Sequence, residues 1–227
     1  TGPLNFLPIH AAGLYRKDGT HCVSDYIISY YTPTLTALLD PPTRTAAPFN
    51  MTALIQPESK ISPLPATRTE LENIGNRVPK QWLTALGDIM QATVKTALVH
   101  LHQSSIVHFA CHGTQDVTNP LDSGLVLTDG LLKVSEIMHM PKSDSLEGIK
   151  KSMALAFLSA CETAKGDDSV PDEAMHLAAT LLFAGFNGVV ATMWTMNDLD
   201  GPKIADTFYE HLFRNCDPTS NPPSSPI

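Results

Sequence analysis

Apolar positions in this chain gather in short runs separated by Pro-, Gly- and Ser-rich connections, with no long sustained periodicity and no repeat. DYIISY (25 to 30) is a β-prone run, and TPTLTALLD after it turns into a brief helix with Pro33 in its first turn. DPPTRTAAPFN (40 to 50) breaks the pattern as a loop, after which MTALIQ is a second short apolar stretch leading into PESKISPLP. Strand, then crossover, is the rhythm. Thr67 with Glu70 three residues later is a capping-box signature, so a helix is predicted in ATRTELENIG, stopping near Gly75. From Pro79, the spacing of Trp82, Leu86, Ile89, Val94, Leu98 and Leu101 by threes and fours predicts one helix across 79 to 103. Ile106 to Cys111 is too short for another helix and predicts a buried strand.

Polar TQDVTNPLDS follows, then GLVLTDGLLKV, where Asp129-Gly130 sits between two apolar runs as a hairpin turn does. VSEIMHM predicts a short helical piece and PKSDSLEGIKK a surface loop. Residues 153 to 159 predict a second buried strand, and Ser169, Pro171 and Asp172 start a helix, DEAMHLAATLLFAG, ending at Gly185. NGVVATMW predicts a third buried strand, and Asp200 with Pro202 opens a last helix through Arg214. The Pro/Ser-rich tail, 215 to 227, reads as disordered. Strands apolar on both faces that alternate with helices argue for an α/β protein with a mostly parallel sheet covered on both sides. Sites in such sheets form at the carboxyl ends of the strands, where His112, Cys161 and the segment Trp194 to Asp198 all fall.

Composition narrows the classes. At 227 residues and 43% hydrophobic, the chain can bury a full core as one large domain. Net charge is −8, without a run of Lys or Arg, which argues against nucleic acid as a partner. No stretch approaches the roughly 18 to 20 consecutive apolar residues of a membrane span, and the start lacks a signal-peptide n-region. Four scattered cysteines, Cys22, Cys111, Cys161 and Cys216, suit free thiols in a reducing, cytoplasmic compartment. The opening at Thr1 suggests a piece of a longer polypeptide.

His112-Gly113 and Cys161 carry the chemistry. Each closes a buried run, and neighbouring strands would bring an imidazole and a thiol to one sheet edge, where they can attack a peptide carbonyl. Cys161 is then the nucleophile and His112 the acid for the leaving amine. The N–H groups of Gly113 and Cys161 are the oxyanion donors. Cys111 directly precedes His112 and points to the opposite face, so it reads as core, as does His108 within the run. Zinc on HxxCH would have its ligands split between two faces, and no metal or other cofactor is expected. No GxSxG occurs, although Ser159 is placed to line a pocket.

VHFACHGTQD, NPLDSGLVLTDGLLKVSEI, LAFLSACETAKGDD, DEAMHLAATLLFAGFNGVVATMW and the Asp198 to Asp200 segment follow one another in the order of a CHAT domain, which the chain resembles over nearly all of residues 1 to 214. SACET with CHG about fifty residues earlier is the specific part. LPIHAAG and DYIISYYTPTLTALL look like forms found in fungal members. The resemblance implies a caspase-like α/β/α sandwich of the caspase and separase clan (clan CD), with His112 and Cys161 at the catalytic positions and Gly113 and Cys161 at the oxyanion positions. It also implies a missing part of a first strand upstream of TGPL, a protein or peptide substrate, and regulation by other parent-chain domains such as TPR or NTPase modules. Separase-like enzymes, which cut after Arg, carry an acid directly after the Trp that ends the third strand, where Thr195 stands here. Asp198 and Glu173 are the acids in reach of such a pocket. The activity implied is that of a cysteine endopeptidase; the alternative is a catalytically silent interaction module on the same fold.

Overall fold

The computed structural model describes residues 7–17, 19–29, 48–114, 116, 118–139, 153–159, 177–179, 181–182, 186–192, 196–214 and 216. In chain order its strands are β1 (Gly13–Arg16), β2 (Gly19–Cys22), β3 (Met51–Ile55), β4 (Leu83–Leu86), β5 (Ile106–Ala110), β6 (Gly113–Thr114), β7 (Gly124–Val126), β8 (Leu131–Lys133), β9 (Met153–Leu158) and β10 (Phe186–Val190). The helices are α1 (Ala66–Arg77), α2 (Val94–Gln103), α3 (Val134–Met138) and α4 (Gly201–Phe213), with further helical residues at 177–179 and 181–182.

Five strands form one all-parallel sheet in the order β10-β9-β5-β3-β4. Successive residues of a strand point to opposite faces, and the core divides accordingly. Met51, Ala53, Ile106, Leu155 and Phe157 pack with Ile74 and Val78 at α1 and with Ala205, Tyr209 and Phe213 of α4. Leu54, Val107, Phe109, Cys111, Ala156 and Leu158 pack on the other face with Ala97 and Leu101 of α2, Leu177, Leu181 and the small sheet β6-β7-β8. Helices thus flank a central sheet on both sides, the α/β/α sandwich the sequence pattern predicts. Among the described residues, no helix is long and apolar enough to cross a membrane.

Three elements differ from the sequence pattern. Residues 79 to 103 are not one helix: a short turn at Lys80–Trp82 leads into strand β4, and α2 begins only at Val94. The spacing of Trp82 and Leu86 fits a helix, but it is met by β4 pairing with β3 while Trp82 packs edge-on to Phe49 with ring centroids 5.5 Å apart. Ile89, which a helix would bury, is 97% exposed. Thr93 caps α2 by accepting from the Thr96 N–H at 3.1 Å, and Asp129 at the β7–β8 turn accepts from the Val94 N–H at 2.8 Å.

The 25 to 30 run forms no strand over its described residues; Val23–Asp25 is a 3₁₀ turn, and a β1–β2 hairpin precedes it. Tyr26, Ile27 and Ile28 are exposed, so the run lacks the paired neighbour that β propensity requires. Among the described residues β10 lies at the sheet edge and ends at Val190, with only Phe186 buried, so the described part of NGVVATMW is a half-covered edge segment and not a buried strand. Asp200 precedes α4 as expected, but its carboxylate meets Lys203 Nζ at 3.3 Å and does not cap the helix. The segment at 31 to 40, both ends of the helix around Leu177–Leu181, and the tail apart from Cys216 lie outside the described residues.

Gly87 turns the chain after β4 at φ 101°, and a Cβ there would sit 1.8 Å from the Ile55 carbonyl oxygen. Gly87→Ala is therefore expected to destabilise the fold by about 2 kcal/mol or more, read as a Tm at least about 4 °C lower. Gly75→Ala, on open space in α1, is expected to stabilise it by about 0.5–1 kcal/mol in the same melt.

Candidate functional site

The carboxyl ends of β3, β5, β9 and β10 open onto a cleft of about 400 Å³, solvent mouth included. His112, two residues past β5, and Ser159, directly after β9, line it together with Asp198 from the segment following β10. Glu70 of α1, Asn197 and Gly201 at the start of α4 complete the lining, with Leu64 and Met196 as its apolar side chains. Residue alternation explains this grouping: His112 shares the even-numbered face of β5 with Ile106 and His108, the face covered by α1 and α4.

His112 is 1% exposed, and its Nε2 lies 2.8 Å from the Ser62 carbonyl oxygen and 3.2 Å from Ser62 Oγ. A carbonyl can only accept, so Nε2 carries a proton and donates it to Ser62. The His112 carbonyl accepts from the Val126 N–H at 2.8 Å, which makes Gly113–Leu125 a pair whose own N–H groups do not bond across β6 and β7. The Gly113 N–H is therefore directed away from β7.

Of the other residues singled out by the sequence, Ser159 and Asp198 reach the cleft, whereas Cys161, Glu173 and Thr195 lie outside the described residues. Asp198 is already engaged: its Oδ2 accepts from the Ala66 N–H at 3.2 Å and so caps α1 from across the sheet. Cys111 is fully buried in the α2-side core, and burial, reinforced by the Glu70 charge, pushes its thiol up to about 12. A thiol held protonated in this way is a poor nucleophile. His108 is buried on the opposite face, stacked on Phe157 at 4.9 Å with its Nδ1 3.0 Å from the Tyr209 hydroxyl. Among the described residues no group of three or more His, Cys, Asp or Glu is disposed to hold a metal ion.

Glu70 is the ionisable cleft residue that sequence reasoning missed. As the predicted partner of Thr67 it should face the helix start. Instead Thr67 donates its hydroxyl to the Leu64 carbonyl at 2.7 Å, α1 begins at Ala66, and Glu70 is 2% exposed with Oε1 3.0 Å from His108 Nε2. That contact is close but lacks hydrogen-bond alignment, since both atoms are otherwise without a hydrogen-bond partner. The available signal was position: Glu70 occupies the same stripe of α1 as Ala66, Thr67 and Ile74, all buried.

The Cys111 environment sets a pH dependence. An unfolded thiol ionises near its ordinary 9.0 and the folded one near 12, so the stability this group contributes is intact below pH 9 and is lost as pH rises towards 12. Thermal melts between pH 9 and 11 are expected to show a steeper loss of Tm for the wild type than for Cys111→Ala. The buried Tyr209 hydroxyl, also raised, contributes the same slope to both proteins.

A model of the CHAT domain family matches residues 1–221 of the chain. No curated protein matches it.

Proposed function

The chain belongs to the CHAT domain family, which lies in the caspase-like peptidase clan, and from that premise we propose that it is a cysteine endopeptidase acting through His112 and Cys161. The observation that carries the proposal is the register of the two central strands. Ile106 pairs with Leu155 and Phe109 with Leu158, a constant offset of 49 residues, and His112 and Cys161 are separated by the same 49. The Ser159 N–H donates to the Phe109 carbonyl at 2.8 Å, so the ladder persists up to the residue two before Cys161.

The position of His112 supports its assigned role. The Ser62 carbonyl accepts from Nε2–H and fixes the ring at the cleft, where an imidazole can take up a proton and pass it on. In the proposed reaction the Cys161 thiol gives up its proton and the sulfur bonds to the substrate carbonyl carbon. The N–H groups of Gly113 and Cys161 hold the resulting oxyanion. As the C–N bond breaks, protonated His112 gives its proton to the leaving amine, and a thioester remains on Cys161. Water then adds to the thioester carbonyl, releasing the acid and restoring the thiol. The substrate is a protein or peptide, and other domains of a longer parent chain hold the site in check.

Labelling of the protein with an electrophilic peptidyl ketone, followed by intact mass, tests this reading. Wild type and Cys111→Ala are expected to take up one label, Cys161→Ala none, and His112→Ala to react at least about 100-fold more slowly. Equal behaviour of wild type and Cys161→Ala under every activating condition would overturn the proposal in favour of a catalytically silent binding module.

A further inference from the structure

Ser62 lies in the connection between β3 and α1 and meets His112 twice. Its carbonyl accepts from Nε2–H, and its hydroxyl oxygen stands 3.2 Å from the same nitrogen. The proposed reaction makes use of the carbonyl and leaves the hydroxyl without a task. Ser62 is half-buried, whereas Lys60, Ile61, Pro63 and Pro65 around it are exposed. The hydroxyl therefore sits on the imidazole from a stretch of chain that another protein can grip.

Pro63 gives that stretch a second property. Proline fixes its own φ and keeps the residue before it extended, the backbone shape in which a proline-directed protein kinase takes up a serine. The chain carries Ser-Pro or Thr-Pro at Thr32, Ser62 and Ser225, and of these Ser62 falls among the described residues. We propose that Ser62 is a phosphorylation site whose phosphate switches off His112. This rests on the peptidase reading above and names a regulation of that site. In the modifying step Ser62 Oγ bonds to the γ-phosphorus of ATP and the bond to the β-phosphate oxygen breaks. ADP leaves, and the hydroxyl proton passes to the kinase's base.

The consequence for the site follows from charge. A phosphoserine brings about −1.5 to −2 of charge at neutral pH and three strong acceptor oxygens, placed here beside Nε2–H. The cleft lining holds two carboxylates, Glu70 and Asp198, and neither Lys nor Arg, so His112 is the lining group that can pair with the phosphate as a cation. An imidazolium held in that pair keeps the proton that the leaving amine needs. The same negative charge opposes the thiolate and the oxyanion of the proposed reaction.

The test uses a Thr32→Ala, Ser225→Ala protein, in which Ser62 is the remaining Ser-Pro or Thr-Pro site. It is treated with a purified proline-directed kinase of the mitogen-activated class and MgATP, then with the peptidyl ketone probe. One phosphate is expected, located at Ser62 by peptide mass, with labelling at Cys161 slowed about 100-fold or more, the loss that goes with removing a general acid–base group. Phosphatase treatment is expected to restore the untreated rate, which a damaged fold would not allow. Ser62→Ala in the same background is expected to take up no phosphate and to label equally with and without kinase, whatever its own rate. Absence of phosphate at Ser62, or a phosphorylated protein that labels as fast as its untreated sample, overturns this inference and leaves the peptidase reading standing. Untreated protein that the probe fails to label at Cys161 under every activating condition overturns the peptidase reading, and this inference with it.

Discussion

β5 is covered on both faces and paired along both edges, and most of the site follows from that. A strand so enclosed must send consecutive side chains into different layers. Phe109 and Cys111 go into the α2-side core, while His108 and His112 go towards α1 and α4. The adjacent thiol and imidazole of Cys111-His112 are therefore held apart, one sealed and protonated, the other at the cleft. The same alternation in β9 puts Ser159 with Leu155 and Phe157 on the α4 side, where its hydroxyl meets Gly201.

The layer that receives His108 surrounds a fully buried imidazole with groups from two different helices. Tyr209 of α4 supplies a hydroxyl at Nδ1, Glu70 of α1 brings a carboxylate to Nε2, and Phe157 covers the ring. The polar cluster ties α1 to α4 beneath the cleft. Farther along the same pair of helices, Arg77 Nε and Asp206 Oδ1 meet at 2.7 Å, holding the Asp206 carboxyl below its usual range. That outer pair is a third exposed and adds little by itself, so the alignment of α1 on α4 rests on the buried groups and on Ile74, Ala205 and Tyr209.

What the sequence made legible was whatever a strand pattern or turn chemistry determines locally. The apolar runs at β3, β5 and β9, the Asp129-Gly130 turn and the last helix are of this kind, and each appears within a residue or two of its expected bounds. β4 was illegible because four residues of an edge strand followed by a glycine turn reproduce, by coincidence, the spacing of a helix stripe. Only the non-local pairing with β3 separates the two possibilities. The site was half legible for the same reason. His112 and Ser159 sit at strand ends and Asp198 in the segment that follows β10, where a topology rule can find them.

Glu70 sits on a helix, where its spacing from Thr67 offered a local explanation that tertiary structure overrides. A capping box stabilises a helix start by about 1 kcal/mol. Here the carboxylate turns inward instead, to lie 3.0 Å from the buried His108 Nε2. The vacated helix start does not go uncapped: Asp198, 132 residues away, accepts the Ala66 N–H instead. One exchange of partners thus joins the segment after β10 to the start of α1, and it carries two acidic side chains into the cleft beside His112.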